Sequence, residues 1–395
     1  MERNKNIPQG YKDSPLGIIP QEWEVKRLGD VCANITDGTH DTPIKHSSGI
    51  PFITAIHVKD GIIDFSSCYY VDEKTHKEIY RRCNPEVGDV LMVNIGAGVG
   101  SSSLVKVDYE FSLKNVALLK CGKFLSGAYL EAWQINNKNK LVNSLLNGGA
   151  QPFLGLKDIE RIKIILPPLP EQQKIAETLT CWDTAIEKQT QLIEKLEARK
   201  RGLMQQLLTG KKRLKGFEGK WETFELGDVL SYQQPTPYLV SSTDYNSKYD
   251  IPVLTAGKTF ILGYTNENVG VYNNPLPAII FDDFTTDIKF VNFPFKAKSS
   301  AMKILTPKNN ANIVFVYAAM SQIRYAIGGH ERHWISKYSY LTIQIPSLEE
   351  QTAIANILSV AEKEIGKEKE KLAALKSQKK GLIQVLLIGK KRVKI

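Results

Sequence analysis

The sequence predicts an α+β protein in which two α/β domains are separated by two long antiparallel helices. These helices are expected to form a coiled coil, and the whole chain is expected to be a pseudo-twofold internal repeat. Three observations lead to this fold class. One segment occurs twice, each copy carries a heptad pattern, and each copy follows a stretch in which short apolar runs alternate with polar, glycine-rich loops.

The repeat is strongest in its C-terminal part. LPEQQKIAETL begins at Leu169 and LEEQTAIANIL begins at Leu348, and the match continues without a gap to a shared GKKR, with 19 of 45 positions identical. A second match pairs WEVKRLGDV from Trp23 with WETFELGDV from Trp221. The offset between the copies falls from 198 to 179 residues, so the intervening body is 19 residues shorter in the second half. Shared ends therefore flank two different bodies.

The repeated tail has the periodicity of a coiled-coil helix, because apolar residues recur at spacings of three and four in both copies. Prolines precede each copy, and Gly210 and Gly389 mark the predicted helix ends. Two surface helices on separate cores remain the alternative. The predicted seam consists of Ile175, Leu179, Trp182, Ile186, Ile193, Leu196, Leu203, Leu207, Ile354, Leu358, Ile365, Leu372, Leu375, Leu382 and Leu386.

The path of the chain predicts that the two helices are antiparallel. A helix of about 38 residues spans roughly 57 Å, and the second body begins soon after the first helix ends, so the second helix has to return along the first. The two bodies are then expected at opposite ends of the coil. The predicted order is a first domain at 1–166, a helix at 167–210, a linker with the second domain at 211–343, and a helix with a basic tail at 344–395.

Each body is predicted to mix strands and a helix. Apolar runs of strand length and composition are bounded by polar turns, and one longer amphipathic stretch follows in each body. The predicted strands are 50–58, 89–95, 115–120, 251–256, 277–282 and 301–306, and the predicted helices are 128–147 and 311–326.

Charge and composition narrow the range of partners. The net charge of +10 favours nucleic acid over a membrane surface, with an ordinary Lys-rich solvated surface as the alternative. The sequence shows neither a signal peptide nor an apolar stretch long enough to cross a membrane, so a cytoplasmic protein is expected. The five cysteines are odd in number and far apart, which is typical of reduced thiols rather than of disulfides or a zinc site.

Two segments resemble catalytic motifs but do not fit them. IGAGVGSSS at 95–103 lacks both the GxGxxG spacing and a following helix that would bind a nucleotide phosphate, so its glycines are predicted to form a turn. FDDFTTDIK at 281–289 contains three aspartates, but their spacing is too tight for a metal-dependent nuclease. No catalytic residue and no metal ligand are predicted.

The polar loops of both bodies mix cationic, hydroxyl and aromatic side chains, the types that contact phosphates and base edges. An inert surface loop can have the same composition. Lysines in these loops are expected mainly to bind phosphates, whereas glutamine or histidine could read bases. The predicted DNA-binding residues are Lys45, His46, Gln151, Thr286, Lys289, Lys298 and Lys337.

Several of these motifs resemble those of a known family, the specificity (S) subunits of type I restriction-modification systems. The similarity lies in LPPLPEQQKIAETL, GLMQQLLTGKKR, IPSLEEQTAIANIL and the opening SPLGIIPQEWEVKRLGDV. In the second body, IIFDDFTTDIKFVNFPFKAKSSAMKIL is similar to a recurrent target-recognition domain. The resemblance covers nearly the whole chain.

The resemblance implies a non-catalytic subunit in which each target-recognition domain reads one half of a bipartite, asymmetric site in double-stranded DNA. The coiled coil would fix the spacer and bind two modification subunits, and two restriction subunits would complete the complex. S-adenosylmethionine, ATP and Mg²⁺ would then be bound by the partner subunits and not by this chain. Two alternatives remain open, a stand-alone nuclease or methyltransferase and a coiled-coil scaffold without a DNA role.

Overall fold

A computed structural model describes residues 7–395 except residue 97, residues 146–152, residues 256, 258 and 309, and residues 326–331. The chain divides into two compact units. Unit 1 contains Met1–Gln189 together with Leu372–Ile395, and unit 2 contains Thr190–Lys371. Each unit therefore combines one body with parts of both repeated tails.

Unit 1 begins with short strands and ends its body at the first long helix. Its helices are α1 (Leu28–Val31), α2 (Glu73–Tyr80), α3 (Gly127–Leu145), α4 (Leu156–Arg161) and the first part of α5 (Leu169–Leu207). Its strands are β1 (Tyr11–Lys12), β2 (Ile19–Pro20), β3 (Glu24–Arg27), β4 (Cys32–Asp37), β5 (Ile50–Thr54), β6 (Val58–Lys59), β7 (Ile62–Ile63), β8 (Tyr69–Val71), β9 (Val90–Val93), β10 (Ser102–Leu104), β11 (Ser112–Lys114), β12 (Val116–Cys121) and β13 (Lys163–Leu166).

Unit 2 has fewer elements in the same order. Its helices are α6 (Leu226–Val229), α7 (Ile313–Met320), α8 (His333–Ser336) and the first part of α9 (Leu348–Leu386). Its strands are β14 (Glu222–Glu225), β15 (Leu230–Gln233), β16 (Ile251–Leu254), β17 (Ile261–Thr265), β18 (Ala278–Asp282), β19 (Ile288–Val291), β20 (Lys296–Ala297), β21 (Met302–Pro307) and β22 (Thr342–Ile345).

The two bodies share one sheet plan although their sequences differ. Unit 1 has an antiparallel sheet of order β10-β9-β12-β4, and unit 2 has the matching order β19-β18-β21-β15. A smaller sheet accompanies each, β11-β5-β8 in unit 1 and β20-β16-β17 in unit 2, with one parallel and one antiparallel pairing in both. The internal repeat therefore includes the fold of the variable bodies.

A two-stranded pairing connects the start of each half to its long helix. β3 pairs with β13 just before α5, and β14 pairs with β22 just before α9. The repeated LGDV sequence forms α1 and α6, where Asp30 and Asp228 each accept a hydrogen bond from the backbone amide at the start of the turn. The repeated WExxxLGDV motif thus fixes where each long helix begins.

The central strands are buried on both faces, on one face by the body's own helix and the long helices and on the other by residues of the smaller sheet. In unit 1, Met92 and Leu119 pack in one core with Trp133 of α3 and Ile175 of α5. In unit 2 the corresponding core combines strand residues with Phe315 of α7 and residues of both long helices. Because the apolar stripe of each long helix enters these cores, helix and body form one folding unit.

The long helices run antiparallel within each unit, as predicted. Asp183 pairs with Lys379 in unit 1, and Glu197 lies 2.7 Å from Lys369 in unit 2. Each helix has 39 residues. All fifteen predicted seam residues are buried or half-buried, whereas most of the positions between them are exposed. Beyond the helix ends, Gly210 and Gly389 have left-handed backbones, with φ of +67° and +71°.

Two elements of the bodies differ from the predicted bounds by more than two residues at one end. The predicted strand 50–58 is interrupted by a 3₁₀ turn at Ala55–His57, because Nδ1 of His57 accepts a hydrogen bond from the Thr54 amide. The predicted helix 311–326 is shorter, Ile313–Met320, and ends where the Ser321 hydroxyl donates to the backbone of the last turn.

Candidate nucleic-acid interface

Unit 1 carries a cleft of about 320 Å³ that is lined by both apolar and polar side chains and to which several loops contribute. Lys45 comes from the loop before β5, Tyr69 from β8, Gly96 from the β9–β10 hairpin, and Lys114 and Asn115 from the junction of β11 and β12. The Lys45 ammonium lies 3.7 Å from the centroid of the Tyr69 ring, a cation–π contact. None of the described lining residues is acidic, so the cleft suits an anionic partner.

His46 lies beside this cleft and is fixed by the small sheet. Its backbone amide donates to the carbonyl of Tyr70 at 2.9 Å, and its Nε2 lies 3.8 Å from the carboxylate of Asp72. Asp72 also caps α2 by accepting from the Thr75 amide, which lowers the pKa of its carboxyl. The structure therefore brings Lys45 and His46 together on one surface.

In unit 2 the β18–β19 hairpin carries Thr286. This residue has a left-handed φ of +58° and donates its amide to the Asp282 carbonyl. A β-branched residue is costly in this conformation. The turn is held by Asp282, whose carboxylate accepts from the amides of Phe284 and Thr285.

Below this turn lies a fully buried ion pair. The carboxylate of Asp283 is 2.9 Å from the Lys303 ammonium, and both side chains are 0% exposed. Asp283 also accepts from the backbone amides of His333 and Trp334. The ion pair therefore fixes α8 against the hairpin.

Lys337 and Lys298 lie on segments that contact this hairpin region. Lys337 is exposed at the C-terminal end of α8, where its amide donates to the His333 carbonyl. Lys298 follows β20, donates its amide to Leu254, and holds its ammonium 5.9 Å from the ring of Tyr245. The segment after Lys298 is joined to the hairpin, since the Ala301 carbonyl accepts from the Asp283 amide.

One of the predicted residues lies apart from these groups. Lys289, on β19, is half-buried and lines a groove of about 580 Å³ whose other walls include Tyr317 of α7 and Leu358 of α9. The structure does not group it with the hairpin turn. Gln151 lies outside the described residues.

Lys114 and Asn115 line the cleft but are not among the predicted DNA-binding residues, because Asn115 begins the predicted strand 115–120 and Lys114 directly precedes it. The shared sheet plan identifies them. β11 pairs in parallel with β5, and β20 pairs in parallel with β16, so Asn115 and Lys298 each directly follow the equivalent strand. Asn115 has a φ of +53°, and asparagine tolerates this region better than most residues.

A carboxylate anchors another loop of unit 2. Glu267 accepts hydrogen bonds from the amides of Ser241 and Ser242 and lies 3.0 Å from the buried ammonium of Lys296. These amide hydrogen bonds, with the lysine contact, lower the pKa of Glu267 to about 2. The loop that follows β15 is therefore held by a charged carboxylate.

The segments that resembled catalytic motifs have structural roles. The described residues of 95–103 form the connection between antiparallel β9 and β10 and the start of β10, and Gly96 and Gly100 adopt positive φ in this connection, as predicted for a turn. Asp282 and Asp283 are used in the turn and in the ion pair described above. Among the described residues, no three His, Cys, Asp or Glu side chains are grouped as metal ligands.

The residues shared by the two repeats form a matched pair of contacts, which we call the latches. In the first latch, buried Glu171 accepts from the Trp23 indole at 2.9 Å and from the Arg392 guanidinium. In the second, buried Glu350 accepts from the indole of Trp221 and the guanidinium of Arg213. These three residues occupy the same positions in their repeats as the three residues of the first latch. Each latch closes its own unit by joining the chain before the body, the start of one long helix and the end of the other.

A chain of two similar units, each joining a loop-rich cationic surface to a shared pair of helices, has the architecture of a DNA-specificity subunit. Residues 20–198 and 218–377 match the family described as the type I restriction modification DNA specificity domain, and the chain belongs to that family. This confirms the predicted family and the doubled arrangement. It also favours a specificity subunit over a stand-alone enzyme.

Curated relatives agree with this assignment. The chain is 50% identical over 159 residues to the type I restriction enzyme EcoR124I/EcoR124II specificity subunit of Escherichia coli, a match that spans 37% of this chain and 39% of that protein. It is 27% identical over 426 residues to the putative type I restriction enzyme MjaX specificity subunit of Methanocaldococcus jannaschii, spanning 98% and 97% of the two chains. The second match extends the similarity to the whole chain.

Solved structures agree on the fold. The S subunit of a type I restriction-modification system from M. genitalium matches with a TM-score of 0.64 at 14% identity, over 98% of both chains. A chain from a study of complex assembly in the type I R-M system matches with a TM-score of 0.55 at 15% identity, over 94% of this chain and 99% of that one. Within the described parts of the chain, no helix has the length and apolarity needed to cross a bilayer.

Proposed function

We propose that each unit reads one half of a bipartite, asymmetric site in double-stranded DNA. The observation that carries this proposal is the shared sheet plan with unlike side chains at equivalent loops. Unit 1 presents Lys45, His46 and Asn115, whereas unit 2 presents Thr286 and Lys298. One framework with different hydrogen-bonding groups suits two different short sequences.

The paired long helices then fix the spacer between the half-sites and dock two modification subunits. Two restriction subunits join the same complex, and S-adenosylmethionine, ATP and Mg²⁺ are bound on those partners. Because its target and partners are those of a restriction-modification system, the complex works in the cytoplasm. Phosphate binding is supported by Lys45 and Lys114 in the cleft of unit 1 and by Lys298 and exposed Lys337 in unit 2.

The test is methylome sequencing of a host that carries this chain with its modification subunit. We expect one bipartite, asymmetric motif, and replacing residues 230–343 with the corresponding body of a relative should change one half only. A continuous palindromic motif would refute the proposal, as would a motif unchanged by the exchange. Mg²⁺-dependent cutting or methyl transfer by the purified chain alone would favour the enzyme alternative.

A second measurement separates DNA reading from a pure scaffold. Lys298→Ala in the complex should weaken binding to all sequences and lower the slope of binding against salt by about one unit. The exposed Lys220 of the same unit, as Lys220→Ala, is the control and should leave the slope unchanged. DNA binding that does not saturate on any sequence would support the alternative of a coiled-coil scaffold without a DNA role.

A further inference from the structure

We infer that Asn115 is a base-reading residue of unit 1 and that His40 is the residue that positions it. This inference rests on the proposed function and assigns specificity to one side chain. Asn115 directly follows β11 and lines the cleft of unit 1 with Lys45 and Lys114. It occupies the place that Lys298 holds in unit 2.

The backbone presents this side chain in one orientation. Asn115 has a left-handed φ of +53°, and its amide donates to the Thr39 carbonyl at 3.2 Å. The flanking strands β11 and β12 are paired within two different sheets, so the junction cannot relax as a free loop would. Asparagine is one of the few residues other than glycine that accept this backbone conformation readily.

A chain of polar contacts fixes the carboxamide. Nδ1 of His40 lies 2.9 Å from Oδ1 of Asn115, and Nε2 of His40 lies 3.2 Å from the carboxylate of Asp37. Asp37 is only 4% exposed and also pairs with Arg82 at 2.5 Å. When both ring nitrogens carry a proton, the His40 ring donates from Nε2 to Asp37 and from Nδ1 to the Asn115 oxygen, so it is anchored at one end and holds the carboxamide at the other.

This arrangement leaves hydrogen-bonding capacity for a base. With Oδ1 held by His40, the two hydrogens on Nδ2 and the second lone pair of Oδ1 stay available. A carboxamide matches the N6 donor and N7 acceptor of adenine in the major groove. The ligand that fits Asn115 is thus the edge of an adenine.

The surroundings of the cleft suit a DNA groove. Ile44 and Ile56 are 79% and 70% exposed, and Ile56 also lines the cleft. Contact with a thymine methyl group would cover such side chains. Lys114, whose ammonium contacts Thr42, and Lys45 supply charge for the phosphates on either side.

The test uses the complex of this chain with its modification subunit and compares Asn115→Ala with Asn139→Ala, a control on an exposed position of α3. The measurements are the methylation motif in the host and binding to duplexes that differ at single base pairs. Asn115→Ala should lose about ten- to hundredfold discrimination at one adenine of one half-site, while the other half-site stays intact. The control should leave the motif unchanged.

His40→Ala should relax the same base position less strongly, and His40→Gln, which can restore a hydrogen bond to the carboxamide, should recover part of the discrimination. An unchanged motif in Asn115→Ala would overturn the inference, and so would equal weakening on all sequences. Relaxation at a different base in His40→Ala would refute its positioning role. A wild-type complex without a bipartite motif would instead refute the proposed function.

Discussion

The first latch predicts an unequal effect of removing its two charged partners. The side chain of Glu171 is 1% exposed and that of Arg392 is 38% exposed. Arg392→Ala would leave the Glu171 carboxylate buried without its cationic partner. Of the donors described for this carboxylate, the Trp23 indole would remain. Glu171→Gln would leave a guanidinium that water can reach and that still lies 2.9 Å from Glu22.

These exposures set the magnitudes. Leaving one partner of a buried ion pair uncompensated costs about 3–5 kcal/mol, which we expect for Arg392→Ala. Losing hydrogen bonds while the partner is rehydrated costs about 1–2 kcal/mol, which we expect for Glu171→Gln. The double variant should cost less than the sum of the two, because it no longer contains an unpaired buried charge.

The assay is urea unfolding followed by tryptophan fluorescence, with hydrogen exchange of the last turns of α9 as a local measurement. Exposed Lys391, changed to alanine, is the matched control one residue away. Protection at Leu386 should fall in Arg392→Ala and stay unchanged in the control. A cost of Arg392→Ala no larger than that of Lys391→Ala, or strict additivity in the double variant, would refute the reasoning.

Three further predictions concern stability. Gly389→Ala should lower the free energy of unfolding by about 1–3 kcal/mol more than Gly210→Ala, as measured by thermal unfolding. Both glycines have positive φ, but a Cβ at residue 389 would lie 2.5 Å from a proline ring, whereas the atom nearest to a Cβ at residue 210 is 3.6 Å away. Asp283→Asn should cost about 3–5 kcal/mol by leaving the 0% exposed Lys303 unpaired, and a cost below about 1 kcal/mol would contradict the buried pair. Because the pKa of Glu267 is lowered from 4.5 to about 2, its stabilisation is complete above about pH 4.5 and is lost as the pH falls towards 2. Glu267→Gln should therefore flatten the acid limb of the unfolding profile, and an unchanged limb would contradict this.

Much of the fold was predictable because it depends on local periodicity. The heptad pattern predicted the two long helices, and glycines at 210 and 389 predicted their ends within a few residues. Apolar runs predicted the central strands, such as Val90–Val93 and Ala278–Asp282. Side-chain alternation and helical spacing are properties of neighbouring residues, so they can be read from sequence.

The candidate interface was predicted less well. Lys45 and His46 were identified by composition, and the structure places them on one surface. Asn115, whose role is a proposal, is not among the predicted residues because it stands beside the apolar residues of a strand, and its left-handed backbone is imposed by two sheets. Lys289 has the composition of a DNA-binding lysine, but its strand directs it into a groove.

The sequence by itself determined the doubled plan, the phase of the two helices and the family, because repeats and motifs are linear features. The tertiary structure decided which distant residues meet. Trp23 contacts Glu171 across 148 positions, and Glu171 contacts Arg392 across 221. The repeat conserves these residues, but their pairing follows from the antiparallel return of the second helix, which brings the end of one repeat to the start of the other. Likewise, the cleft around Asn115 forms because separate loops converge on the sheets. Contacts between such distant segments depend on the order of the strands in each sheet and not on the pattern of neighbouring residues.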